Sequence, residues 1–76
     1  YMTTLNMIKP GEHAVVCGVS GPIRRRLTEM GFVRGACVYV RRVAPLGDPM
    51  EIRFSGYSLS IRKHEAADIS VERVSP

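Results

Sequence analysis

The sequence predicts a mainly β fold, a small antiparallel barrel of about five short strands with one helix between strands one and two. Short apolar or alternating runs bounded by turn residues predict the strands. These runs lie too close together for parallel crossovers, except across the helix. A chain of 76 residues has to bury the inward sides of its hairpins against one another, and a bent barrel does so while hiding strand edges. Length therefore predicts one domain, 1–76, with a thin core.

The first predicted strand follows a weakly patterned start. Leu5 and Ile8 are expected to pack as a short lead-in, and Pro10 with Gly11 marks a turn. The segment His13–Val19 is short, β-branched and bounded by turn residues, which predicts strand one. Both of its faces are fairly apolar, as expected for a strand that is covered on both sides.

The predicted helix of about three turns begins after this strand. Ser20 or Gly21 is expected to be the N-cap, and Pro22 fits the first turn, where its missing N–H is not needed. Gly31 is expected to end the helix, because glycine adopts a left-handed conformation without penalty. The residues expected to form its apolar stripe are Ile23, Leu27 and Met30.

The remaining elements are read from alternation and turn chemistry. Residues 36 to about 43 are expected to form the second strand, and 45–49 a turn rich in Pro, Gly and Asp. Alternation over 50–61 predicts a hairpin with a tight Ser-Gly connection. A helical turn at 63–68 and a last strand at 69–73 follow, after which the chain is expected to fray. The residues expected to face the core here are Phe54, Tyr57, Ala66 and Ala67.

Composition limits the compartment but not the partner. Eleven Lys and Arg against seven Asp and Glu give a net charge of +4. This balance permits binding to nucleic acid, to an anionic membrane surface or to an acidic protein. Cys17 and Cys37 are interpreted as reduced residues of a cytosolic protein. No apolar run approaches the roughly 20 residues that span a bilayer, so no membrane insertion and no signal peptide are predicted. Tyr1, before Met2, is interpreted as a residue left by cloning.

The sequence predicts no enzyme, no cofactor and no metal site. No nucleophile–base motif and no carboxylate pair in a recognisable frame are present, and the glycines around Val19 lack the lysine of a phosphate-binding loop. No two potential metal ligands show a spacing such as C-x-x-C or H-x-x-x-H. These ligands are therefore expected to be ordinary surface or core residues: His13, Cys17, Cys37, His64 and Glu65.

The basic residues suggest two kinds of partner. Residues 24–26 are three successive arginines that span about 300° of a helix, so they cannot share one face. A solvated helix face is favoured over a dedicated contact, and Arg26 is the best candidate of the three. For nucleic acid, only Tyr39 is expected to be free to stack, near Arg41 and Arg53. Such a platform is thin, and no nucleic-acid partner is predicted.

Three motifs together resemble the FeoA family. The run RLTEMGF at 26–32, followed by Gly35, resembles that family's R-L-x-x-M-G-hydrophobic-x-x-G segment. The turn PLGDP at 45–49 resembles its P-x-G-D-P loop, and LSIRKHEA at 59–66 resembles part of its L-x-L-R-x-x-E-A ending. Their order and close spacing give the resemblance its strength. Further matching positions are Leu5, Pro10, Gly11, Ile69 and Val71.

The resemblance implies an SH3-like barrel that serves bacterial ferrous-iron uptake. Its implied role is that of a cytoplasmic accessory protein that binds and regulates the FeoB-type membrane transporter, which carries a cytosolic GTP-binding domain. A further small Feo component is a second potential partner. Two alternatives stay open: a nucleic-acid-binding SH3-like barrel, and a metal-sensing accessory module. Self-association through strand edges or Cys37 also stays open.

Two surfaces are expected to bind the partner, because both are exposed yet conformationally constrained. We call the end of the helix and its following loop the helix-end surface, in which Phe32 either contacts the partner or caps the core. We call the rigid proline-rich turn the turn surface. The residues of the helix-end surface are Arg26, Glu29, Gly31, Phe32 and Arg34. The residues of the turn surface are Pro45, Leu46, Gly47, Asp48 and Pro49.

Overall fold

The computed structural model describes residues 2–74, and its main element is one antiparallel sheet of six strands in the order β1-β6-β2-β3-β4-β5. The strands are β1 (Met2–Thr4), β2 (His13–Val19), β3 (Cys37–Val43), β4 (Met50–Phe54), β5 (Tyr57–Ile61) and β6 (Ile69–Val74). The helices are a 3-10 helix (Leu5–Met7), α1 (Arg24–Glu29) and α2 (Lys63–Ala66).

The sheet curls into a small barrel around a single core. A flat sheet of six strands would be about 24 Å wide but only about 10 Å thick. The molecule instead measures 28 × 25 × 23 Å. Inward side chains of β2 to β6 meet in one buried cluster, to which α1 and the 3-10 helix add residues. The predicted mainly β barrel is therefore confirmed. The largest fully buried side chains are Phe32, Leu5, Leu27, Ile52, Ile61, Ile69, Val16, Val38, Val40 and Val71.

The strand count is six rather than the predicted five, because the start of the chain forms β1. Met2 lies opposite Glu72 and Thr4 lies opposite Ser70. At the other end, Val74 does not fray but pairs with His13. Fraying was also predicted for residues 75–76, which lie outside the described residues. Residue 1, interpreted as left by cloning, lies outside them too.

Helix α1 is shorter than predicted and begins without a side-chain cap. Its six residues make fewer than two turns. Neither Ser20 nor Gly21 is the N-cap, since Ile23 occupies that position. The hydroxyl of Ser20 instead donates to the carbonyl oxygen of Asp68 at 3.1 Å. Leu27 is buried as predicted, but Met30 is 37% exposed, so its assignment to the core was wrong. Met30 is the C-cap, one residue past the end of α1, and it does not continue the buried stripe of the helix.

Gly31 ends α1 as predicted. It has a φ of +87° and its N–H donates to the carbonyl oxygen of Thr28 at 3.0 Å. The N–H of Phe32 donates to the carbonyl oxygen of Leu27 at 2.9 Å. These two bonds form a Schellman motif, which satisfies carbonyl groups that the helix end leaves without partners. The motif turns the chain sharply and brings Phe32 back onto the core.

The β4–β5 hairpin is confirmed, with one error in its core assignment. Phe54 is 7% exposed, but Tyr57, which was predicted inside, is 60% exposed. The two residues lie opposite each other beside the turn, where the core ends. Ala66 is buried as predicted, whereas Ala67 is exposed. Consecutive residues of a helical turn diverge by about 100°, so both alanines cannot face the core.

Candidate partner-binding surface

The polar residues of the helix-end surface are exposed, as predicted. Arg26 and Glu29 lie on α1, and Arg34 lies on the loop that follows. The Glu29 carboxylate lies 3.5 Å from Nε of Arg25, and both side chains are more than two-thirds exposed. An exposed pair of this kind contributes at most about 1 kcal/mol. Glu29 can therefore leave Arg25 and bind a basic group of a partner with little loss of stability.

Phe32 belongs to the core and not to the contact surface. Its side chain is 0% exposed. Its ring packs edge-to-face on Phe54 with the centroids 5.0 Å apart, a favourable geometry for aromatic pairs. Of the two interpretations, core capping is correct, and including Phe32 among the contact residues was wrong. Its role is to anchor the helix-end loop to the core.

The turn surface projects from the barrel and is internally braced. The N–H of Gly47 donates to the carbonyl oxygen of Ala44 at 2.7 Å, and Pro45 occupies the position that favours proline in such turns. The N–H of Ala44 donates to the carbonyl oxygen of Pro49 at 3.0 Å, which closes the loop. Leu46 at its tip is 94% exposed. The structure therefore presents one apolar side chain on a constrained loop.

Asp48 fixes the turn surface to α2. Its Oδ1 accepts a hydrogen bond of 2.9 Å from the N–H of Lys63, the first residue of α2. The carboxylate thereby satisfies one of the donors that a helix start leaves without partners. Asp48 is consequently a bracing residue as well as a surface residue.

A shallow groove of about 460 Å³ lies beside the turn surface, and its charges are already paired. Two arginines converge on the Glu51 carboxylate, with Arg41 Nη1 at 2.9 Å and Arg42 Nε at 3.5 Å. A bulge in the pairing of β3 with β4 places two residues opposite one, so both can reach the same carboxylate. This groove therefore offers few free charges to a partner.

The structure does not bring the two predicted surfaces together. The turn surface leads into Met50 at one end of β4, whereas Phe32 packs on Phe54 at the other end. A rise of about 3.3 Å per residue separates these ends by roughly 13 Å. The two surfaces are thus separate regions of the barrel.

A second groove, which the sequence interpretation missed, lies beside α1 and has a volume of about 270 Å³. Arg24 and Thr28 line it from the helix, and Arg34 lines it from the following loop. The four-residue spacing of Arg24 and Thr28 places both on one helix face, a signal that the sequence already carried. The sequence interpretation assigned Arg24 to a solvated face, and nothing in the pattern placed Arg34 near it.

The potential metal ligands are dispersed. Within residues 2–74 no group of three His, Cys, Asp or Glu side chains is placed to hold a metal ion. The His13 ring packs against Tyr39 in a tilted arrangement, with centroids 4.7 Å apart and an interplanar angle of 42°. Part of the Tyr39 ring, which was expected to be free for nucleic acid, is therefore covered. Cys17 is half-buried, Cys37 is exposed, and both are free thiols. Cys37 is the first residue of β3.

Comparison with known proteins supplies the family. A family model described as the FeoA domain matches residues 3–73. The chain belongs to the FeoA family. No helix within residues 2–74 of this FeoA domain has the length and apolarity that a bilayer crossing requires.

Relatives connect this FeoA domain to ferrous-iron transport. It is 41% identical over 73 residues to the Fe(2+) transport protein A/Fe(2+) transporter FeoB fusion protein of Porphyromonas gingivalis. The match covers 93% of the chain and 9% of that relative, so the chain spans less than a tenth of its length. The FeoA domain is therefore linked to ferrous-iron transport, and in this relative it is fused to FeoB.

Solved structures share the fold. The FeoA-like protein of Clostridium acetobutylicum is 40% identical with a TM-score of 0.89, over 99% of this chain and 90% of that one. The FeoA of Stenotrophomonas maltophilia, solved with zinc and described as a prokaryotic SH3 domain protein, is 30% identical with a TM-score of 0.83. That match covers 92% of this chain and 89% of that one. The FeoA domain described above is thus an SH3-like barrel.

Proposed function

We propose that this FeoA domain is a cytoplasmic accessory protein of ferrous-iron uptake that binds and regulates an FeoB-type transporter. The observation that carries the proposal is the Porphyromonas gingivalis relative, in which a FeoA segment and FeoB are one polypeptide. Joining two modules raises the effective concentration of each for the other to about millimolar. Fusion is useful when the two modules contact each other, and a separate chain then needs a binding surface of its own.

The proposed mechanism is binding rather than catalysis. The turn surface is braced by the bonds from Gly47 to Ala44 and from Lys63 to Asp48. The helix-end loop is held by the Schellman motif at Gly31 and by buried Phe32. Segments that are already ordered lose little conformational entropy when they dock. Both surfaces therefore suit recognition of a larger protein, and docking would stabilise one conformation of the transporter.

The binding experiment uses the purified chain and the detergent-solubilised transporter of the same organism. Titrations are made without nucleotide, with GDP and with a GTP analogue, and GTP hydrolysis is followed in parallel. We expect saturable one-to-one binding with an affinity that differs between the nucleotide states, because a regulator must bind those states unequally.

Four outcomes separate the parts of this proposal from each other and from its two alternatives. No saturable binding at tens of micromolar under any condition would contradict docking. Binding of equal strength in all nucleotide states, with an unchanged hydrolysis rate, would contradict regulation while leaving docking in place. Binding to a single-stranded oligonucleotide that weakens steeply with salt would favour the nucleic-acid alternative. A ferrous-ion affinity of the isolated chain in the submicromolar range would favour the metal-sensing alternative.

A further inference from the structure

The groove beside α1, which we call the arginine groove, combines positive charge with an apolar floor. Its two charged residues approach from different segments, Arg24 from α1 and Arg34 from the loop after it. Its apolar residues are Val19, which is half-buried, buried Phe32, and Val33, which is 43% exposed. The full lining is Gly18, Val19, Arg24, Thr28, Phe32, Val33 and Arg34.

The positive charge of the arginine groove is unpaired within the described chain. No carboxylate of residues 2–74 lies within 4 Å of either Arg24 or Arg34, and no acidic residue lines the groove. By contrast, Arg42 of the groove beside the turn surface shares the Glu51 carboxylate with Arg41. Two unpaired guanidinium groups on one concavity attract carboxylates, which arginine can bind through two parallel hydrogen bonds.

The apolar floor distinguishes a protein segment from a nucleic acid. A phosphodiester backbone would use the two arginines but would leave Val19 and Val33 without a partner. Strand-binding grooves stack bases mainly on exposed aromatic faces, and the aromatic residue of this groove, Phe32, is fully buried. An aliphatic side chain fits the same floor and gains from burial there.

We propose that the arginine groove binds an acidic segment of a protein partner, in which an aliphatic side chain lies between carboxylates. The carboxylates would contact Arg24 and Arg34, the aliphatic side chain would cover Val33, and the Thr28 hydroxyl would accept or donate one further hydrogen bond. This inference rests on the proposed function in one respect, since it assigns the segment to the cytosolic part of the FeoB-type transporter.

The test uses the full ¹⁵N-labelled chain and overlapping peptides that tile the cytosolic segments of the transporter. Each acidic peptide is paired with a counterpart in which Asp and Glu are replaced by Asn and Gln. We expect at least one acidic peptide to shift the amide signals of Gly18, Thr28 and Val33, and its neutral counterpart to leave them in place. Amides of the turn surface serve as the internal reference for nonspecific effects.

Charge reversal identifies the arginines that are responsible. Arg24→Glu and Arg34→Glu are each expected to weaken peptide binding about tenfold, by removing an ion pair and adding repulsion. Arg62→Glu is the matched control, because Arg62 is an exposed arginine beside α2 that lines neither groove. It carries the same change in net charge and should alter the affinity less than twofold.

The outcomes separate this inference from the proposed function. If the intact transporter binds but no acidic peptide shifts the groove amides, the arginine groove is not the contact and docking still stands. If an acidic peptide occupies the groove but the intact transporter does not bind, the groove chemistry stands and the transporter role fails. Equal binding by the neutral peptides, by an oligonucleotide, or by Arg24→Glu would overturn the inference.

Discussion

Gly21 lies in the segment before α1 and has no room for a side chain. It has a φ of +74°, and a Cβ at this position would overlap Oδ2 of Asp68. The preceding residue, Ser20, donates from both its N–H and its hydroxyl to the carbonyl oxygen of Asp68, at 2.9 and 3.1 Å. The segment that leads into α1 is thus hydrogen-bonded to the residue that precedes β6.

Gly21→Ala should therefore destabilise the domain in two ways. The left-handed backbone costs about 1–2 kcal/mol for a residue with a Cβ, and the overlap with Asp68 adds to it. We expect a total loss of roughly 2–4 kcal/mol in the free energy of unfolding, measured by urea denaturation. Gly11→Ala is the control, because Gly11 has a φ of +88° with no atom within 4 Å of the added Cβ.

The two contributions can be separated in an Asp68→Ala background. There the loss caused by Gly21→Ala should fall to that of Gly11→Ala, since only backbone strain is left. If Gly21→Ala and Gly11→Ala lower the free energy of unfolding equally in the unaltered chain, the Asp68 carboxylate moves away freely. The overlap then does not contribute to the loss of stability.

The β4–β5 hairpin shows how a turn sets the register of an element. Ser55 and Gly56 have φ values of +52° and +82°, as in a type I′ turn. This turn matches the twist of the flanking strands and pairs Phe54 with Tyr57. Gly56 adopts such a conformation easily, whereas Ser55 is a residue type that seldom does.

Ser55→Asn should stabilise the hairpin, because Asn-Gly is the preferred sequence for a type I′ turn. We expect a gain of roughly 0.3–1 kcal/mol in the free energy of unfolding. Ser58→Asn, at an exposed position within β5, makes the same chemical change in extended backbone. It should be neutral or slightly destabilising, because Asn is disfavoured in strands. A gain of the same size at both positions would refute the turn explanation.

The elements that sequence predicts best here are those with local signals. Alternation and turn residues predict β2 to β6, and Gly31 predicts the end of α1. Strand β1 was missed because its three residues are held by pairing with β6 and none of them is buried. The start of α1 was misplaced because the hydroxyl of Ser20 bonds to a carbonyl 48 residues away. Local patterns contain no information about such distant partners.

The candidate site, like the fold, was predictable only where the signal is local in sequence. Exposure of the turn surface follows from its turn chemistry, and Leu46 at its tip is 94% exposed. The arginine groove was not predictable, because it exists only after the fold brings Arg34 beside α1 and Val19. Burial of Phe32 was left open, since one residue past a helix end can turn either way until its tertiary contact is known.

At the scale of the whole molecule, the helix-end surface and the turn surface are two separate parts of the barrel's exterior. The domain exposes 4940 Å², and a standard interface covers about 800 Å² of each partner. One interface therefore takes about a sixth of the surface, and the two regions are separated by the length of β4. A partner that contacts both has to span at least the roughly 13 Å length of β4, as a large transporter can, and the two contacts should then contribute independently.

Independent contacts predict additive losses in transporter binding. Arg34→Glu should weaken binding about tenfold, and Leu46→Ser about fivefold, since partial burial of a leucine is worth about 1 kcal/mol. The double variant should weaken it by the product, about fiftyfold, because sites more than about 7–10 Å apart rarely couple. Leu46→Ser should leave the unfolding free energy unchanged, which excludes misfolding as the cause. A wild-type affinity for Leu46→Ser would remove the turn surface from the interface, and a double variant no weaker than Arg34→Glu alone would show that the transporter holds the barrel by the helix end only.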